Sequence, residues 1–276
     1  MNDVTCPTEA DVAAALDPTP VPAEVPSNEP ASAPEAALDA ADDRREITNT
    51  KVSPYVYVCQ LYMQKDPNNE AGSLGTGFLV APNVIVTCGH NLWSNSALGG
   101  GFVFKRFTII PGRRSVGTND TQPLGKRDVL LSPKGFKVHT GWSEKKDRNY
   151  DVGLIVLPPG KEFPVKGNTL SYGGISIPPS APRGRYTVLG YPKAKPLYTM
   201  WGSLGQIDTL ERNILYYRMM ASEGQSGGPI IATRDDGTLG NVVVGIHIAE
   251  ERDGTRRAGL AMTQAIQDWI TKNSVY

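Results

Sequence analysis

The chain has 276 residues, and its 28 Lys and Arg are matched by 28 Asp and Glu, so the formal net charge is zero. A chain of this length buries a sizeable core without help from disulfides or metals. No run of 18 apolar residues occurs, which excludes a membrane-spanning helix; three Cys and three His, with no C-x-x-C pair, leave little material for a zinc or iron–sulfur site.

Residues 1–43 hold ten acidic side chains, no Lys or Arg, seven Pro and almost no large apolar side chain. Such a segment cannot bury enough surface to offset its ordering entropy, so a disordered arm is expected. Three roles fit it: a passive tail, a pro-segment, or an acidic arm lying on the body. The stretch Val12–Leu16 is too short for the apolar region of a secretory signal. The remainder then carries 28 basic and 18 acidic residues, a net charge of +10. No basic run with interleaved aromatics stands out, so nucleic acid is not an expected partner.

From Arg45 onward the texture changes. Short β-prone runs follow one another: Tyr55–Val58, Gly77–Val80, Val84–Thr87, Phe107–Ile110, Val152–Leu157, Tyr186–Leu189 and Val242–Ile246. Turn chemistry such as Ala81-Pro82-Asn83 separates them. Many short strands at this spacing predict an all-β sandwich or barrel. Helical periodicity is convincing only over 263–273, where Ile266, Trp269 and Ile270 follow an i, i+3, i+4 pattern. A C-terminal helix docking on the body is expected there.

Three segments carry chemistry. Thr87-Cys88-Gly89-His90 ends a predicted strand, Asn149-Tyr150-Asp151 opens one, and Gly224-Gln225-Ser226-Gly227-Gly228-Pro229 surrounds a serine with glycine. Nucleophilic catalysis at serine needs an imidazole to take the hydroxyl proton, a carboxylate to hold that imidazole, and backbone N–H groups facing the developing oxyanion. Singly, each segment has a plainer reading: a structural His, a turn Asp, a flexible loop. In the order His, Asp, Ser, each beside a strand, they make a specific constellation. The G-x-S-x-G elbow of α/β-hydrolases is excluded by chain order, since only His247 follows Ser226, and by the missing helices.

On these residues the chain resembles a trypsin/chymotrypsin-type serine protease, and more closely the glutamyl endopeptidase (V8-like) branch. Further stretches carry the likeness: Asp43–Thr50, Gly75–Val80, Gly190-Tyr191-Pro192 with Lys195-Pro196 and Thr199-Met200-Trp201, and Gly245-Ile246-His247. The resemblance covers roughly 43–272. It implies two Greek-key β-barrels, over 44–165 and 166–262, followed by the helix at 263–276, with the active site in the cleft between the barrels. His90, Asp151 and Ser226 become the catalytic triad, and the N–H groups of Gly224 and Ser226 the oxyanion hole. The implied reaction is peptide hydrolysis through an acyl-enzyme, with no metal or other cofactor and with a protein or peptide as substrate, by a monomeric, secreted enzyme.

The same resemblance assigns the primary specificity pocket. Met220 occupies its base, where trypsin-like enzymes that cut after Lys or Arg carry Asp. His247 matches the histidine that contacts the substrate carboxylate in the glutamyl branch, and it offers both a donor and positive charge near neutral pH. Ser222 stands one residue after Ala221, where the branch often has a hydroxyl. Glu250 and Glu251 replace pocket-mouth glycines and repel an acidic substrate unless Arg252, Arg256 or Arg257 offsets them. Cleavage near Ala36–Asp39 would free an amino terminus that helps bind the carboxylate. Cys59 and Cys88 fall on strands of the first barrel and either pair or remain buried thiols. The competing class is a protease fold kept as a non-catalytic binding module.

Overall fold

Two curled sheets, one drawn mainly from each half of the sequence, meet along a line that the Gly224–Pro229 segment follows. The computed structural model describes residues 42–69, 71–94, 101–165, 169–172, 184–234, 236–251 and 254–276. In the first half the strands are β1 (Arg45–Glu46), β2 (Val58–Gln64), β3 (Ser73–Ala81), β4 (Val84–Thr87), β5 (Trp93–Ser94), β6 (Gly101–Phe102), β7 (Arg106–Pro111), β8 (Arg114–Val116), β9 (Asn119–Thr121), β10 (Arg127–Leu130), β11 (Phe136–Val138) and β12 (Gly153–Val156). In the second they are β13 (Ser171–Tyr172), β14 (Arg185–Gly190), β15 (Trp201–Gly205), β16 (Ile207–Glu211), β17 (Ile214–Tyr217), β18 (Pro229–Thr233), β19 (Leu239–Glu250) and β20 (Arg257–Ala261). Helix α1 is the single turn Thr140–Ser143, and α2 is Gln264–Asn273.

The first sheet has the order β10-β7-β2-β3-β4-β12-β11, and the second β1-β15-β14-β18-β19-β20-β17-β16 with β13 parallel on β19. This is the all-β plan expected from the strand spacing, in the two-sheet form that the resemblance implies. One element crosses the expected division at 44–165: β1 pairs with the second sheet, Arg45 opposite Gly202 and Glu46 opposite Trp201. The other expected boundary, near 166, lies beside residues outside those described, as do the arm up to residue 41, the cleavage region Ala36–Asp39, and Arg252.

The strand runs read from the sequence mostly stand as read; Val84–Thr87 has the same bounds. Tyr55–Tyr57 does not, because it forms a 3-10 turn and the strand starts only at Val58. Pro54, in the helical region at φ −86°, opens that turn, and N–H groups of Val56 and Tyr57 bond back to the carbonyls of Val52 and Pro54. Tyr55 is fully buried there, so burial rather than strand pairing explains its apolar neighbourhood.

The core is two clusters. A large one runs from Leu61, Phe78, Ile85 and Phe107 of the first sheet through Tyr191 and Ile246 to Ile266 and Ile270 of α2. The smaller one, with Val188, Leu215, Tyr217, Ile230 and Val244, fills the second barrel. Helix α2 thus docks by the expected face, with Ile266 and Ile270 fully buried and Trp269 packed beside them. Among the described residues, no helix is long and apolar enough to cross a membrane.

Candidate active site

Strand register explains how the first two chemical groups meet. β4 and β12 are antiparallel neighbours, with Thr87 opposite Gly153. The chain therefore leaves β4 and enters β12 at the same end of the sheet. A 3-10 turn at Gly89–Asn91 carries His90 out of β4, and another at Arg148–Tyr150 delivers Asp151 two residues before β12. Asp151 is 3% exposed and addresses His90 twice: Oδ2 lies 2.7 Å from Nδ1, and Oδ1 accepts the His90 backbone N–H at 2.8 Å. The second bond fixes the carboxylate plane, so the first orients the ring.

Burial disfavours a charged His90, whereas the neighbouring Cys88 sulfur and the Asp151 carboxylate favour it, and the balance lies well above the ordinary histidine range. Burial also pushes the Cys88 thiol up, so that sulfur is uncharged at neutral pH. Asp151 is the partner that sustains an imidazolium. The outer nitrogen, Nε2, lies 3.4 Å from Cys88 Sγ.

Ser226 lies between β17 and β18 on a loop with no strand pairing of its own. Its Oγ makes no hydrogen bond among the described residues, to His90 or any other group. Its carbonyl is held instead, by Thr76 N–H and by Asn91 Nδ2, both at 2.9 Å. The preceding turn aims its amides by a peptide-plane argument. The Glu223 carbonyl accepts Lys193 N–H at 2.7 Å. In a trans peptide the following N–H points the opposite way, so that of Gly224 faces away from Lys193. Gln225 N–H is taken by the Ser222 carbonyl and Gly227 N–H by the His247 carbonyl. Among the described residues no acceptor takes the N–H of Gly224 or Ser226, which leaves two unclaimed donors beside one hydroxyl.

Gly224 is required for this turn. Its φ is +95°, and a Cβ would collide with the Tyr191 carbonyl oxygen. Gly227, at φ +88°, lies against the Thr76 carbonyl and Thr87 Oγ1 in the same way. A buried chain of bonds locks these contacts. Thr76 Oγ1 donates to the Gly224 carbonyl at 2.7 Å, Thr87 Oγ1 donates to the Thr76 carbonyl at 2.7 Å, and Asn91 Nδ2 donates to Thr87 Oγ1 at 2.9 Å. Thr76, Thr87 and Asn91 were not singled out from the sequence. The Gly75–Val80 stretch was the available signal, but nothing local says which threonine faces a loop 148 residues away.

The specificity residues are placed unevenly. His247, 2% exposed on β19, lies behind the loop with Nδ1 2.7 Å from Tyr217 Oη. Burial, with the positive ends of His90 and Arg257 adding to it, lowers its pKa to about 3. This corrects the sequence expectation: near neutral pH His247 offers a donor and no charge. Burial keeps the Tyr217 hydroxyl protonated, and the close partner for its proton is Nδ1, the Ala258 carbonyl being 3.4 Å away. Donation of that proton to Nδ1 would place the His247 proton on Nε2.

Ser222 does not face His247 through any hydrogen bond; its Oγ accepts Arg44 Nη1 at 2.6 Å. Met220 is half-buried, and its N–H donates to Ser203 Oγ at 2.9 Å. Glu250 is paired with Arg257 at 2.8 Å and Glu251 with Arg148 at 2.7 Å, so each of the two acidic side chains has its own guanidinium. Cys59 and Cys88 are both free, buried thiols rather than a pair. Among the described residues no three His, Cys, Asp or Glu side chains gather as a metal site.

Comparison with known proteins gives consistent neighbours. The sequence profile of the trypsin-like peptidase domain matches residues 75–246. A Bacillus subtilis protein named extracellular metalloprotease is 33% identical over 208 residues, 75% of this chain and 60% of its own length. This chain therefore spans less than two thirds of that relative. The glutamyl endopeptidase of Bacillus licheniformis is 30% identical over 239 residues, covering 84% of this chain and 68% of its own. In fold, the chain is similar to a Glu endopeptidase solved in complex with MPD, with a TM-score of 0.64 and 24% identity over 85% of this chain and 98% of that one.

Proposed function

Since the chain belongs to the trypsin-like peptidase family, we propose that it is a serine endopeptidase that cuts peptide bonds through an acyl-enzyme and prefers a glutamate before the cut. One observation supports the reading: Asp151 holds the His90 imidazole, the next residue, Asn91, donates to the Ser226 carbonyl, and two amide N–H groups of the serine turn stay unclaimed. In the reaction Ser226 Oγ attacks the carbonyl carbon while His90 Nε2 takes its proton. Nε2 first exchanges the Cys88 sulfur for Ser226 Oγ, a tightening of the kind seen when substrate fills an empty site. Asp151 stabilises the imidazolium that results. The N–H groups of Gly224 and Ser226 receive the oxyanion, where one such donor is typically worth ~3 kcal/mol of barrier. His90 then protonates the departing amine, and water repeats the sequence on the ester.

Glutamate preference is supported by His247. A buried carboxylate needs donors, and the tautomer set by Tyr217 presents one. Pairing of Glu250 and Glu251 with Arg257 and Arg148 removes the repulsion that the sequence alone suggested. The licheniformis relative carries the matching name. The enzyme is read as acting outside the cell, as one relative is named, and as a monomer on protein substrates.

A fluorophosphonate tests the chemistry: the protein should be labelled once, at Ser226, and Ser226→Ala should take no label while keeping its fold. An unlabelled wild type would mark a binding module instead. Paired peptides differing only before the cut test the preference, and equal rates for Glu and Ala would remove it.

A further inference from the structure

We infer that Arg44 is the positioning residue that holds the oxyanion turn in its working shape. This rests on the reading of Ser226 as the nucleophile. Arg44 stands just before β1, and its side chain is 4% exposed. From there it reaches under the loop that bears Ser226. Nη1 donates to Ser222 Oγ at 2.6 Å and to Gln225 Oε1 at 3.1 Å. Gln225 Oε1 also accepts the Ser222 N–H at 3.0 Å. One guanidinium nitrogen thus joins the two residues that bracket Glu223 and Gly224, the peptide whose orientation aims the first amide donor. Gln225 is fully buried, and among the described residues its Nε2 has no partner, so Oε1 is the atom that ties this side chain down.

The other side of the fork is anchored as firmly. Nε and Nη2 donate to Asp42 Oδ1 and Oδ2 at 2.8 and 2.7 Å, a bidentate pair that sets the guanidinium plane. Lys195 Nζ lies 2.8 Å from the same carboxylate. The Arg44 hydrogen bond holds the Asp42 carboxyl well below the usual range, so the anchor stays charged through the neutral region. The charge of Arg44 belongs to a side chain inside the sequence. It exists whether or not a peptide bond before Asp42 is cut, so the turn does not wait on processing.

The full-length chain and its Arg44→Ala, Arg44→Lys and Gln225→Leu variants provide the test, read by peptide hydrolysis and by amide hydrogen exchange over 220–228. Loss of the brace should lower kcat in Arg44→Ala about 100-fold, the scale of one oxyanion donor, with KM within about twofold. Arg44→Lys keeps the charge without the fork and should fall between. Millimolar methylguanidinium should return at least about tenfold of the lost kcat in Arg44→Ala and none in Gln225→Leu, because only the former leaves both acceptors in place. Exchange should quicken over 220–228 alone. Gln225→Leu should match Arg44→Ala, and the double variant should be no worse than either. Unchanged kcat with unchanged exchange in Arg44→Ala overturns the inference. So does exchange that quickens throughout the body, if Gln225→Leu leaves kcat intact. A wild type that neither cleaves nor takes a fluorophosphonate would defeat the catalytic reading, and local exchange would still decide whether Arg44 braces the turn.

Discussion

The imidazole–carboxylate pair and the serine loop are held in opposite ways. His90 and Asp151 leave neighbouring ends of two paired strands, so the register of one sheet brings them together. The loop from Ser222 to Gly228 has no strand through it, and beyond its own turn bonds its shape is held from outside. Lys193 holds the Glu223 carbonyl, Thr76 the Gly224 carbonyl, Thr76 and Asn91 the Ser226 carbonyl, and Arg44 the side chains of Ser222 and Gln225. Thr76 and Asn91 belong to the first sheet's half of the chain, Arg44 to the segment before it. The imidazole–carboxylate pair is therefore local to one sheet, whereas the loop of the proposed nucleophile is shaped by contacts from both. Substitutions in the pair should alter proton transfer with little effect on loop geometry; substitutions in the supports should do the reverse.

Asp151→Asn is the largest expected break within the pair. The amide keeps the shape but cannot sustain the imidazolium, and kcat should fall on the order of 10⁴-fold. The pH profile separates this from misfolding. In the wild type His90 titrates well above the ordinary histidine value of about 6.5, so the acid limb of kcat/KM should lie above that value. With the carboxylate gone, burial is opposed only by the Cys88 sulfur and the limb should move toward acid. Stability carries the matching sign. A raised folded-state pKa contributes stability that is fully present below about pH 6.5 and fades as pH rises through the folded value. Urea titrations at two pH values on either side should show that fade in wild type and not in Asp151→Asn.

Thr76→Val probes the opposite side at smaller cost. Valine keeps the volume but removes the donor to the Gly224 carbonyl and the acceptor for Tyr191 N–H at 3.1 Å, both buried. Leaving such groups unpaired typically costs about 1–3 kcal/mol, visible as a lower urea midpoint. The turn loosens as well, so kcat should drop about tenfold, equivalent to ~1.4 kcal/mol of barrier, without displacing the acid limb of the pH profile. A displaced limb would mean that the two regions are not separable as the contacts suggest.

The same contrast explains what the sequence made readable. Periodicity and turn residues placed Val84–Thr87, Val152–Leu157 and the C-terminal helix, because each signal is written within a dozen residues. His90 and Asp151 followed, since each abuts such a strand. The supports of the loop were silent. Thr76, Asn91 and Arg44 act on residues 148, 135 and 178 positions away, and a lone Thr, Asn or Arg has no local pattern that names a distant partner. The charge on His247 was misread for a related reason: its burial is a property of the packed second barrel, not of the stretch Gly245-Ile246-His247 in which it was noticed. Tyr55–Tyr57 shows the converse error, a β-prone run diverted into a turn by the proline before it.

Tyr217→Phe sharpens the comparison most finely, since it touches neither the pair nor the loop supports. The phenol lies 2.7 Å from His247 Nδ1, and donation of its proton there would fix the His247 proton on Nε2. Phenylalanine fills the same space in the second barrel's core but leaves the tautomer free, so a fraction of the protein presents a lone pair where the substrate carboxylate needs a donor. Rates on peptides with Ala before the cut should hold steady, because that side chain makes no use of His247. Rates with Glu should fall, and the Glu-to-Ala ratio should shrink by about tenfold, ~1.4 kcal/mol. A ratio that stays fixed would detach His247 from the pocket. Equal losses on both substrates would show instead that Tyr217 supports the loop, drawing it onto the other side of the division.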